Sequence, residues 1–184
     1  VTIDPSGLPS FGAQSTPDNE PETAGLIKPD QDLLKQLLEQ MELNHGIDDD
    51  GDLFAPYEGF RIFFMFRGEE EELFAVRTYY DRPFKIEDKP KALDLADAWN
   101  RDTLWPKIYT HTHEDGEVRF VGEAQLVIAA PVNLDFFVSN VVTWMQASIG
   151  FDGWLANELG ESPEEKPADE AEAEADAEDG SAKD

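Results

Sequence analysis

Eighteen residues, Ala92 to Tyr109 (ALDLADAWNRDTLWPKIY), constrain this chain more than any others, because one run holds the end of a helix, a proline stop and the start of a strand. Asp88 is placed to cap the helix, and Pro90 falls in its first turn, where a missing N–H costs little. With about 100° between successive residues, Ala92, Leu93, Ala96, Trp99, Asn100 and Thr103 share one face. Asp94, Asp97, Ala98 and Arg101 share the other. Trp99 therefore reads as a core anchor, with Asn100 beside it at the core edge. An amide there needs partners, most simply the open carbonyls of the helix end or a neighbouring loop. Pro106 stops the helix, because Trp105 before it is pushed out of the α region. Lys107 to Thr112 then reads as a strand. Trp99, Asn100, Trp105 and Pro106 are thus expected to form a helix-ending structural motif, a role that asks less of them than binding does.

Upstream, Asp30 can cap a helix to about Leu43, with Leu33, Leu34, Leu37, Leu38 and Met41 in one stripe and Lys35, Glu39 and Glu42 opposite. Three strands follow: Leu53 to Tyr57, Phe60 to Phe66 and Leu73 to Tyr80. The alternation puts Phe60, Ile62, Phe64 and Phe66 on one face, and Arg61, Phe63, Met65 and Arg67 on the other. The next strand divides the same way, into Phe74, Val76, Thr78 and Tyr80 against Leu73, Ala75, Arg77 and Tyr79. The Glu58-Gly59 turn and the Gly68–Glu72 turn make these strands an antiparallel meander. Both faces are partly apolar, so helices on one side would leave apolar surface open on the other. Downstream of the central helix, Lys107 to Thr112 and Val118 to Ala130 form a hairpin, and Asn133 caps a last helix from Leu134 to about Ile149. Gly150 and Gly153 are expected to loosen it, with a second short helix over Phe151 to Leu159. The reading is an α+β fold with an antiparallel five-stranded sheet, order α-β-β-β-α-β-β-α, and helices packed on the sheet.

Charge divides the chain. The formal total is -27: -3 over residues 1–28, -15 over 29–160 and -9 over 161–184. Residues 1–28 are rich in Pro, Ser, Gly and Thr without periodicity, and are expected to be a disordered lead from which Ile27 folds back onto the first helix. Residues 161–184 are expected to be a disordered acidic tail, since like charges repel and no apolar face forms. An acidic domain repels phosphate, which argues against direct nucleic-acid binding. The absence of cysteine removes disulfides and thiolate chemistry. No run of about 18 apolar residues is present, so no membrane role is expected. The start, VTIDPSGLPS, lacks the regions of a signal peptide, which points to a cytoplasmic protein.

Motifs for chemistry are sparse. Asp48, Asp50 and Asp52 begin like a calcium loop, but Leu53 stands where glycine is needed and Gly59 where a bidentate glutamate is needed. His111 and His113 alternate onto one strand face without a third ligand at diagnostic spacing. Ser139 and Ser148 lie within the last helix, outside any nucleophile elbow. Phosphate-binding glycine motifs are missing. Neither a cofactor nor an enzymatic activity is expected. In the last helix, Leu134, Phe137, Val138, Val141, Val142, Met145 and Ile149 are expected to face the core. A second stripe, Phe136, Asn140, Trp144, Ala147 and Phe151, lies to one side. It is either a protein contact or internal packing, and Phe136, Asn140, Trp144 and Phe151 are the candidate partner-binding residues.

The element order resembles the YbjN family. So do Trp99-Asn100 closing the middle helix, the Pro106-Lys107-Ile108-Tyr109 strand start, and the alternating strand Glu123 to Ile128 before an aromatic-rich helix. The resemblance covers roughly 29–158 and both end segments lie outside it. It implies a fold similar to type III secretion chaperones, often dimeric, in proteins labelled bacterial sensory transduction regulators and linked to stress response. It carries over no catalytic residues. Two functions follow as expectations. The first is a non-enzymatic protein-binding module, chaperone-like or regulatory, with a protein partner and a homodimer as its possible associations. The alternative is an acidic decoy that sequesters a basic protein or mimics nucleic acid.

Overall fold

A computed structural model describes residues 25–161, so most of the lead 1–28 and of the tail 161–184 lies outside the described residues. In chain order the elements are β1 (Leu26–Ile27), α1 (Gln31–Gln40), β2 (Gly46–Ile47), β3 (Leu53–Tyr57), β4 (Phe60–Arg67) and β5 (Leu73–Tyr80). Then come α2 (Lys89–Asp102), β6 (Lys107–Thr112), β7 (Val118–Val127), β8 (Val132–Asn133) and α3 (Leu134–Leu159). The main sheet has six antiparallel strands in the order β2-β3-β4-β5-β7-β6, and β1 pairs with β8 in a separate two-stranded sheet.

This corrects the five-stranded expectation and its element order. The extra strands are two residues long, too short for any alternation to reveal them. Ile27 pairs with Val132 in the two-stranded sheet. Gly46 lets β2 approach the edge, since a Cβ there would sit 2.8 Å from the Phe54 ring.

Three helices seal one sheet face. Leu34 and Leu38 of α1, Ala92 and Ala96 of α2, and Phe137, Val141, Met145 and Leu155 of α3 join one cluster with Ile62, Phe64, Phe74, Val76, Tyr80 and Phe120 of the sheet. Leu93, expected on the core face of α2, is 49% exposed, and Leu95 packs against the core in its place. Asp88 makes no side-chain cap, because a 3-10 turn over Ile86–Asp88 runs straight into the helix.

The last helix is one continuous span of 26 residues, not two. Glycine inside a helix costs roughly 1 kcal/mol. Phe151 and Leu155, fully buried beyond Gly150 and Gly153, outweigh that by about 1.5–3 kcal/mol each. The buried stripe runs Phe137, Val141, Trp144, Met145, Ser148, Phe151, while Leu134 and Ile149 are left 37% and 44% exposed. The aromatic flank, being bulkier, fills the space over the sheet. Ser148 pins the helix: its hydroxyl bonds Thr78 Oγ1 at 2.8 Å, and its carbonyl accepts from Tyr80 Oη at 3.0 Å. Burial pushes the Tyr80 phenol pKa up, so it remains a donor.

The α2–β6 junction is a backbone lock. Trp99 Nε1 donates to the Pro106 carbonyl at 3.0 Å. Asn100 Nδ2 donates to the Ile108 carbonyl at 2.8 Å, and Asn100 Oδ1 accepts from the Ile108 N–H at 2.8 Å. The amide therefore pairs with the outer edge of strand β6 as another strand would, instead of with the helix end or a loop. Trp105–Pro106 is cis, and the Pro106 ring lies over Gly122, where a Cβ would sit 3.0 Å from it. Trp99 packs edge to face on Phe151, ring centroids 5.2 Å apart.

Asn100→Ala is expected to cost about 1–3 kcal/mol, because it orphans both backbone groups of Ile108. Hydrogen exchange at the Ile108 amide should accelerate selectively. Unchanged protection at that amide would show that the side-chain pairing is not what closes the edge.

Candidate functional site: the uncovered sheet face

Strand alternation that sends one set of side chains into the core must send the other to the opposite face. The buried residues of α1, α2 and α3 all belong to the first face, so among the described residues the second carries no helix. Phe54 of β3 and Phe63 of β4 meet there at 5.7 Å between centroids, and Phe63 meets Tyr79 of β5 edge to face at 5.4 Å. Tyr79 is 40% exposed. Met65, Ala75 and Val121 are buried at the base of this layer by their longer neighbours.

Charge on this face runs against the rest of the chain. Four of the six arginines, Arg61, Arg67, Arg77 and Arg119, occupy its strand positions, together with Lys107. Glu123 is the one acid at a strand position there. Arg61 lies opposite Tyr79, and Tyr79 lies opposite Val121. Arg77 is one alternation from Tyr79 along β5, and Arg119 one alternation from Val121 along β7. Three arginines thus surround one exposed tyrosine.

Glu123 shows how the face holds a carboxylate. Arg77 Nη2 lies 3.3 Å from Oε1, to which Gln125 Nε2 also donates, and Tyr109 Oη donates to Oε2 at 3.1 Å. Burial pushes the Glu123 pKa up, but the bond from Gln125 and the charge and bond of Arg77 outweigh it and leave it below the ordinary glutamate value. Burial and the Glu123 charge raise the Tyr109 pKa, which keeps it a donor. The Nε atoms of Arg77 and Arg119 are buried without a hydrogen-bond partner. Arg61 has no ion pair among the described residues.

The α3 stripe named from sequence divides. Trp144 is 2% exposed and Phe151 fully buried, so both are core residues and no longer contact candidates in the folded domain. The helix rotates toward its aromatic flank, and Phe74, Tyr80 and Phe120 receive these rings. Phe136 stays 50% exposed, and Asn140 spends its amide on the Phe136 carbonyl at 2.8 Å.

The other motifs have local uses. Asp48 Oδ1 accepts from the N–H groups of Asp50 and Asp52, closing a turn, and Asp52 pairs with Arg67. The His111 and His113 rings meet edge to face at 4.8 Å. No group of three His, Asp or Glu side chains that could hold a metal occurs among the described residues. Among the described residues, no helix is long and apolar enough to cross a membrane.

The family model for YbjN, described as "Putative bacterial sensory transduction regulator", matches residues 30–156. The chain belongs to the YbjN family. The Trp99-Asn100 lock and the Pro106 strand start lie inside the matched region. The chain also matches a solved structure described as "Crystal structure of YbjN, a putative transcription regulator from E. coli", with TM-score 0.59 and 19% identity, over 73% of this chain and 96% of that one. At that identity the likeness speaks for the YbjN fold. No curated protein matches the chain.

Sequence reading noticed a second, partly apolar sheet face but not the arginine group on it. The signal was present: a chain poor in cations places arginine at alternating strand positions opposite the core. Only the strand order, with β7 inserted between β5 and β6, brings Arg119 and Glu123 beside Arg77 and Tyr79.

A depressed carboxyl pKa stabilises the fold above the ordinary glutamate value, about 4.3, and the gain disappears as pH falls through the lower folded-state value. The stability difference between the native chain and Glu123→Gln, from urea unfolding, should be largest near neutral pH and narrow below about pH 4. A difference that does not change with pH would remove the ionic account of this cluster.

Proposed function

We propose that this YbjN-family chain is a non-enzymatic regulatory module that works by binding a protein, and that the uncovered sheet face is where it binds. The observation that carries this reading is the coincidence of Tyr79, Phe63 and Phe54 with Arg61, Arg77 and Arg119 on a face without a helix. Aromatic and arginine side chains are the types that dominate protein contacts. The preferred partner is an acidic polypeptide segment, because Arg61 has no ion pair among the described residues, while Arg77 and Arg119 already hold the carboxylates of Glu123 and Glu117 and show that the face suits acids. A second copy fits the face poorly, since arginines would meet arginines. A homodimer would use the α3 surface around Phe136 instead.

The decoy reading keeps one supporting observation: the loops around the face are acidic, Glu69 to Glu72 and Asp48 to Asp52 above all. A basic partner would dock there. A nucleic acid would have to pass the same acids to reach the arginines, which opposes it.

A fluorescent polyglutamate peptide should bind the full chain at low salt, by anisotropy. Arg61→Gln or Arg77→Gln should weaken it about tenfold or more, as expected for a lost charge-assisted bond of roughly 1.5–3 kcal/mol. Phe136→Ala should leave binding unchanged. Equal binding by the arginine variants, or tighter binding of a basic peptide or a single-stranded oligonucleotide, would overturn the proposal.

A further inference from the structure

We propose that the open end of strand β7 is a second docking site. It receives the C-terminal end of an extended segment from another protein, as one added strand with its terminal carboxylate at Lys107. This site goes beyond the arginine face and does not depend on it.

The register leaves the edge open. β6 begins at Lys107, opposite Glu123, whereas β7 runs on through Ala124, Gln125, Leu126 and Val127 with a partner only on the β5 side. In an antiparallel ladder the backbone groups of successive residues point to alternate sides. Ile128 donates its N–H to the Glu72 carbonyl at 2.8 Å, toward β5. Ile108, opposite Gly122, turns both of its backbone groups away from β7 to Asn100. Both observations set the same phase. The N–H and C=O groups of Gln125 and Val127 face the column of β6, where no strand is paired among the described residues. Outward donors and acceptors one alternation apart are a template for a further strand.

The surroundings select the occupant. A cavity of about 230 Å³ lies in that column, lined by Leu104, Trp105, Lys107, Glu123, Ala124 and Gln125. It is smaller than the roughly 300–1,000 Å³ of a small-molecule site. It sits where a chain laid along β7 has to stop, because the start of β6 blocks the column. An antiparallel strand runs in the direction of β6, so its C-terminal end arrives at this cavity. Lys107 supplies the matching charge: it is exposed and has no ion pair among the described residues. Glu123, across from it, is already held by Arg77, Tyr109 and Gln125. A parallel strand would bring an N-terminal ammonium to the lysine, which charge opposes.

The rest of the slot is uncharged. In a chain of net charge -27, no charged residue occurs from Ala124 to Leu134 or from Thr103 to Pro106. Leu104, Trp105 and Val127 are exposed there. The residues just before the carboxylate are therefore uncharged and in part apolar. A second copy fits less well. Behind its own β7 it would bring β5 and the Glu69–Glu72 turn toward the α2 end at Asp102, acid against acid.

The probes are a fluorescein-labelled octapeptide of alternating threonine and valine with a free C-terminus, and its C-terminal amide, each titrated into the full chain by anisotropy. The free acid should bind, and the amide should bind about tenfold more weakly. Lys107→Gln should weaken the acid to the level of the amide and leave the amide unchanged. Val127→Pro removes one outward N–H at a position where an edge strand tolerates proline, and should abolish binding of both peptides with unchanged urea unfolding. Should that variant fail to fold, Lys107→Gln carries the test. Hydrogen exchange at the Gln125 and Val127 amides should slow when the acid binds. Equal binding of acid and amide, no binding of either, or unslowed exchange at both amides would overturn the proposal. Protection of those amides that rises with protein concentration in the absence of peptide would assign the edge to a second copy, and would overturn it as well.

Discussion

The packing of α3 across one side of the sheet is the interaction on which the rest depends. It is a contact between aromatic rings. Phe137 and Trp144 meet Phe74, and Phe151 meets Tyr80, Phe120 and Trp99. Rings of this size bring most of the apolar area a small domain can bury. The buried Thr78–Ser148 pair fixes where along the helix that contact is made. Because α1 and α2 join the same cluster, the helices are spent on one face. A sheet with both faces partly apolar is then left with one face open, and its character decides what the domain can do.

Two devices keep that open sheet from indiscriminate association. Asn100 occupies the outer edge of β6 at Ile108, where an unpaired strand would otherwise invite another chain. Arginines stand among the exposed rings, so a second copy of this face would meet like charge. Glu123 is the internal example of an acid on this face, held by Arg77, Tyr109 and Gln125. The acidity elsewhere on the chain has a physical consequence as well: it discourages anionic polymers from approaching except where the arginines are concentrated.

Much of the fold was legible in local pattern. The strands at Leu53, Leu73 and Lys107 begin and end where alternation and turn residues place them, and the Trp99–Pro106 junction announces a helix stop. Three features were not legible, each for a stated cause. Strands of two residues have no period to read. The rotation of α3 depends on which of two adjacent apolar stripes fits the sheet, a question of shape, and so Trp144 and Phe151 turned from contact candidates into core. The arginine group is assembled by strand order, which one strand's pattern does not contain. Asn100 is the intermediate case: its need for partners follows from its position, whereas the choice of Ile108 follows only from the packing of α2 beside β6.

The central claim is that the uncovered sheet face, not the α3 surface, receives another protein. A photo-crosslinking residue placed at Tyr79 in one full-length variant and at Phe136 in another, each expressed in the native host, tests it most directly. Intermolecular adducts from position 79, with the crosslinked partner peptide rich in Asp and Glu, are the predicted result. Adducts only from position 136, or adducts at 79 that map to a basic segment, would contradict the account.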